Sequence, residues 1–141
     1  MANSQINLNG NNMKIRDNGD TTFSTSIAKT NYYSQVYMNL TITDILNHFS
    51  SIIDVTMLEN TSIFINNGLN QSVTLQVMIY DPTSTYYYTV ATTKTISGSS
   101  AYLVSSVDIP VLNTPFTKVK FNLYCSVAPT SGSVNAWLIG H

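Results

Sequence analysis

From Lys118 to Val127 the chain alternates without a break. Val119, Phe121, Leu123, Cys125 and Val127 are interleaved with Lys118, Lys120, Asn122, Tyr124 and Ser126. A period of two is the signature of a β-strand with one buried and one solvated face. Ala128-Pro129-Thr130-Ser131-Gly132-Ser133 ends the pattern with turn-forming residues, and a second apolar run carries Val134, Trp137, Leu138 and Ile139. The stretch Phe116–Ile139 therefore predicts a long antiparallel hairpin closing the chain, its strands lying in the core of a sheet.

The rest of the chain repeats this logic at shorter range. Met13–Ile27 reads as a hairpin around Asn18-Gly19, a dipeptide that tolerates the positive φ angles of a tight turn. Tyr32–Thr43 reads as a strand. Val73, Leu75, Val77 and Ile79 alternate cleanly with Thr74, Gln76, Met78 and Tyr80. Tyr86–Ile96 and Ala101–Ile109 follow, separated by Ser97-Gly98-Ser99-Ser100. Thr43 or Asp44 is placed to cap one short helix, because Ile45, Leu46, Phe49, Ile52 and Ile53 fit a helical stripe near 44–53. The expected fold is all-β: a single jelly-roll-like antiparallel β-sandwich of about 8–9 strands. Residues 1–12 form an extended N-terminal arm and residues 13–141 the sandwich domain. Val73, Leu75, Val77, Ile79, Val119, Phe121, Leu123, Cys125 and Trp137 are the expected core.

Composition then restricts the job. Only 9% of the 141 residues are charged, against roughly a quarter in ordinary soluble domains. Six basic and seven acidic residues leave a net charge of −1. Nucleic-acid binding needs clustered Lys and Arg, and the close basic pairs, Lys14 with Arg16 and Lys118 with Lys120, read as solvent-facing strand positions that discourage edge pairing. So little charge gives weak colloidal protection, which suits a surface covered by neighbours. No stretch reaches the roughly 18 apolar residues of a membrane span. Met1–Gln5 has neither the basic nor the apolar region of a signal peptide. Synthesis in the cytoplasm is expected, with the virion or an extracellular or spore surface as the final place.

No catalytic set emerges. Asp17 and Asp20 flank a turn, Asp81 precedes Pro82 in another, and Asp44 fits a helix cap. His48 and His141 are the only imidazoles, and they do not combine with Cys125 and the carboxylates in metal-ligand spacing. Cys125 lies on the apolar side of its strand and reads as a small buried hydrophobe. The expectation is no enzyme, no metal and no cofactor. Tyr80, Tyr86, Tyr87, Tyr88, Tyr102 and Tyr124 remain as ligand or interface aromatics, either a sugar-stacking face or protein contacts. Ile6 and Leu8, two residues apart in the arm, suit strand addition to a neighbour.

Ser62-Ile63-Phe64-Ile65-Asn66-Asn67-Gly68 followed by Val73–Ile79, and Ala128-Pro129-Thr130-Ser131-Gly132-Ser133-Val134 leading into the last strand, give residues 61–140 a pattern that resembles small β-sandwich structural proteins of phage virions and of Gram-positive spore or surface appendages. Endospore appendage subunits usually carry cysteines in an N-terminal arm that cross-link neighbours. The arm here has none, so the resemblance does not extend to covalent cross-linking.

These readings converge on a non-enzymatic structural subunit that self-assembles or decorates a larger particle. That particle is a phage virion, with the chain as a decoration, head or tail-fibre protein, or an extracellular or spore filament. The partners expected are other copies of the chain or capsid and fibre neighbours. The alternative is a carbohydrate-binding or receptor-binding adhesion module for surface glycans.

Overall fold

The computed structural model describes residues 3–8, 11–17, 23–27 and 31–141. The chain divides into two units, Met1–Thr30 and Asn31–His141. The expected boundary stood after residue 12.

The first unit contains a three-stranded antiparallel meander: β1 (Asn3–Leu8), β2 (Asn11–Asp17) and β3 (Phe23–Ile27). The hairpin expected over Met13–Ile27 is present as β2 and β3, with Met13 opposite Ile27 and Asp17 opposite Phe23. Within the expected arm, β1 pairs with β2, placing Ile6 opposite Met13 and Leu8 opposite Asn11.

The second unit holds nine strands in two antiparallel sheets, an all-β sandwich. The strands are β4 (Tyr32–Leu40), β5 (His48–Phe49), β6 (Ile53–Asp54), β7 (Thr61–Asn67), β8 (Val73–Tyr80), β9 (Tyr87–Ile96), β10 (Ser100–Val104), β11 (Lys118–Tyr124) and β12 (Val134–Gly140). One sheet runs β10-β7-β12-β4. The other runs β5-β11-β8-β9, with β6 also paired to β11. Ile63 and Ile65 of β7, Ala136 and Leu138 of β12, and Val104 of β10 face the core from the first sheet. Val73, Leu75, Val77, Val119, Phe121 and Leu123 face it from the second, and all eleven are buried. Cys125 is buried as well, and Ile79 packs against the same cluster.

Three expectations are corrected. The first concerns the closing hairpin. β11 and β12 alternate as expected, but they are not paired: β11 belongs to one sheet and β12 to the other. The turn cluster between them is a crossover. It is seated against the equivalent β7–β8 crossover, where the Gly68 N–H donates to the Ser133 carbonyl at 2.9 Å and the Asn70 N–H to that of Ser131 at 3.2 Å. Gly132 is obligatory here. Its φ is +93°, and a Cβ would lie 1.9 Å from the Gly68 carbonyl oxygen.

The second correction concerns residues 44–53, which are not helical. The only helical turn among the described residues is a 3₁₀ segment at Pro110–Asn113. β5 and β6 are instead two fragments of one strand laid along β11. Phe49 opposes Asn122 and Ile53 opposes Val119, so residues 50–52 carry one residue too many and bulge. Ser50 bridges the gap: its N–H donates to the Phe121 carbonyl at 2.9 Å, and its hydroxyl accepts from the Phe121 N–H at 2.9 Å. The open edge of β11 needs partners for its backbone, and this need overrides the local helical spacing.

The third correction is Trp137. It lies between buried Ala136 and Leu138, so strand alternation points it away from the core.

Candidate interaction surface

The outer face of the β10-β7-β12-β4 sheet follows from the strand registers. Residues directly opposite each other share a face. Leu103 opposes Phe64, Phe64 opposes Trp137 and Trp137 opposes Gln35, a row across all four strands. On one side of it lie Ala101, Asn66 and Asn135, and on the other Ser62, Ile139 and Tyr33. Ala101, Ser62, Asn66, Asn135 and Gln35 complete a surface without one charged side chain. Tyr33 is 66% exposed, Leu103 51% and Phe64 36%. The Phe64 and Trp137 rings meet at the centre, centroids 6.0 Å apart and tilted by 37°.

The opposite sheet presents a different outer face. Lys118 and Lys120 project from β11, with Lys118 Nζ 5.3 Å from the Tyr80 ring centroid and Lys120 Nζ 4.6 Å from that of Phe49. Both lysines were expected on a solvated strand face. The contrast between the two sheets is therefore one of charge as well as topology.

The six tyrosines singled out from the sequence do not share one platform. Tyr80 and Tyr87 oppose each other at the turn end of the β8–β9 hairpin, centroids 5.4 Å apart, with Tyr86 and Tyr88 exposed beside them. Tyr124 pairs with Thr74 at the far end of the same sheet. Tyr102 is engaged elsewhere. Its hydroxyl lies 3.1 Å from Lys94 Nζ and 3.0 Å from Asp108 Oδ1, and Lys94 and Asp108 meet at 2.7 Å. This cluster ties edge strand β9 of one sheet to β10 of the other. The Asp108 bond raises the Lys94 pKa, and Lys94 in turn holds the Asp108 carboxyl below the usual carboxylate value. A lysine held protonated by a carboxylate is an ion-pair latch and a poor nucleophile. For Ile6 and Leu8, the structure gives only the backbone register of β1.

Asp44, Asp54 and Asp81 are each occupied locally. Asp44 accepts from the Leu46 N–H at 3.0 Å and from His48 Nε2 at 2.9 Å, and these bonds lower its pKa, the Leu46 contribution first. Thr56 lowers Asp54, and Ser84 followed by Thr83 lowers Asp81. Burial pushes the Cys125 thiol up, and the Asp44 charge adds to it, the opposite of an activated thiolate. Among the described residues no group of three or more His, Cys, Asp or Glu is placed to hold a metal, and no helix is long and apolar enough to cross a membrane.

Sequence reasoning passed over Phe64, Leu103 and Tyr33. The signal was present in β7, where Ser62, Phe64 and Asn66 alternate with Ile63, Ile65 and Asn67. Both sets contain large apolar residues, so the outer one is hidden by the inner.

Comparison with protein-family models gives no match, and a search of curated proteins finds no relative of this chain.

Proposed function

We propose that the chain is a non-enzymatic structural subunit that associates with copies of itself. The observation that carries this reading is the uncharged outer face of the β10-β7-β12-β4 sheet, centred on Phe64 and Trp137. Aromatic and aliphatic side chains exposed together, without charge, are what a protein interface buries. A virion or a surface filament is the setting that fits such a subunit.

The connectivity supports a jelly-roll path. With β5 and β6 counted as one, the first sheet takes the sixth, third, eighth and first strands in order. The other takes the second, seventh, fourth and fifth. Two interlocked Greek keys produce this order.

Light scattering on the full chain during size-exclusion chromatography, with negative-stain microscopy, tests the proposal. Association should increase with concentration. A chain that stays monomeric at every concentration overturns it.

A second reading has its own observation. Four tyrosines, Tyr80, Tyr86, Tyr87 and Tyr88, gather at the β8–β9 turn, two of them in a tilted ring contact and two exposed. Rings so placed stack on sugar C–H faces. A glycan array probed with the full chain and with Tyr86→Ala/Tyr88→Ala decides it: binding lost in the variant supports this reading, and no binding by either chain ends it.

A further inference from the structure

The described residues of the first unit form one layer, the sheet β1-β2-β3, and the strand registers sort them onto two unlike faces. Ile6 opposes Met13 and Met13 opposes Ile27, an apolar row across all three strands. The next row on that face is Ser4, Ile15 and Thr25. Leu8 with Asn11 closes one end of the face, and Asp17 with Phe23 the other. Every large apolar residue of the three strands is placed there, beside a single charged one, Asp17. The opposite face takes both cations, Lys14 and Arg16, and otherwise only Asn, Gln and Ser.

A sheet that is apolar on one side needs a second layer against it. Units of fewer than about 40 residues are usually held by a disulfide, a metal or association with more protein. Met1–Thr30 contains neither cysteine nor histidine, and the second unit closes its core between its own two sheets. The apolar face complements itself. A two-fold axis lying across the strands sets the row Ile6, Met13 and Ile27 over the row Ser4, Ile15 and Thr25 of the second copy, so three large residues meet one large and two small. The same rotation brings the Asp17 end over the Leu8–Asn11 end, so the two Asp17 charges are kept apart.

We infer that the β1-β2-β3 sheet is an assembly module whose apolar face packs on the same face of a second copy. The inference rests on the proposed self-association and gives it a second contact, made by residues other than Phe64 and Trp137. A chain that pairs through one face in each unit joins pairs into larger assemblies. The face is small: three strands about 4.8 Å apart, rising about 3.4 Å per residue, cover roughly 300 Å². An interface of that size is reversible and fills only at high protein concentration.

Thr25→Cys and Ser26→Cys test it, because the two positions are neighbours on the outer strand β3 and lie on opposite faces. Each is made in the full chain, where Cys125 is buried, and is treated with a short bismaleimide at the highest concentrations used in light scattering. Circular dichroism and thermal unfolding establish that each variant folds as the wild type does. Thr25→Cys should give covalent dimers, and Ser26→Cys should give no more than the wild type. If Ser26→Cys cross-links as well as Thr25→Cys, copies meet by strand addition at the β3 edge, where both faces come together, and the face-to-face contact is overturned. If neither cross-links while the wild type associates, the contact is overturned and self-association stands on the sandwich surface alone. A wild type that stays monomeric at those concentrations removes both.

Discussion

The Tyr37 hydroxyl crosses the sandwich from β4 and donates to the carbonyl oxygen of Phe121 on β11 at 3.0 Å. The Tyr37 hydroxyl oxygen also lies 2.8 Å from the His48 carbonyl oxygen, so one phenolic proton serves two acceptors where the broken β5 strand begins. The ring is 7% exposed and sits opposite Ala136, whose small side chain leaves it room. Tyr37→Phe keeps the ring and removes the hydroxyl donor from both carbonyls, while the Phe121 oxygen keeps its bond from the Ser50 N–H. A loss of about 1–2 kcal/mol in urea unfolding is expected.

The same phenol sets an alkaline limit. Burial raises its pKa far above the usual 10.0. The folded chain keeps a proton that the unfolded chain releases, so this contribution is fully present below the unfolded value and is lost as pH rises beyond it. Wild-type urea midpoints should fall between about pH 9 and about pH 11 more steeply than those of Tyr37→Phe. Equal slopes refute the assignment.

Asp108 sets the acid counterpart. Its pKa is lowered, first by Lys94, so its stabilisation is present above the unfolded carboxylate value of 3.8 and is lost as pH falls through the folded one. Asp108→Asn should lower the thermal midpoint at neutral pH and bring variant and wild type together in strong acid. A constant difference at all pH values would assign the latch to packing alone.

Asn67 is fully buried at the end of β7. Its Nδ2 lies 3.0 Å from the Gln71 carbonyl, 3.1 Å from that of Ile96 and 2.9 Å from that of Ser97, while Oδ1 accepts from the Leu69 N–H at 3.1 Å. One side chain thereby joins the β7–β8 crossover to the end of β9. Asn67→Leu is expected to cost about 2–3 kcal/mol by leaving these groups unpaired, measured by urea unfolding.

Gly132→Ala tests the contact between the crossovers. The substitution meets both a positive φ and the Gly68 carbonyl. A cost of at least about 2 kcal/mol is expected from equilibrium unfolding. Gly68→Ala should be damaging as well, since a Cβ there would stand 2.8 Å from the Ser133 carbonyl oxygen.

Strand content was legible in the sequence because alternation is a property of one strand against one core. Val73 to Ile79 and Val119 to Cys125 declared their buried side through their own spacing. Partner choice is a different kind of information. The turn cluster 128–133 is compatible with a return into the same sheet or a passage to the other. The close approach of Gly132 to Gly68, residues far apart in the chain, accompanies the second route. The side taken by Trp137 was equally ambiguous. Val134, Ala136 and Leu138 compete with Trp137 and Ile139, and the larger set was the wrong guide because Tyr37 fills the space opposite Ala136.

The sequence alone therefore determined the all-β class, the low charge and most of the core, because each depends on composition or on near neighbours. Only the tertiary structure decided which strands share a sheet, that residues 44–53 complete the edge of β11 instead of forming a helix, and that Phe64 and Trp137 stand together on an uncharged face. Those outcomes depend on backbone groups and volumes brought from distant parts of the chain, which no local pattern encodes.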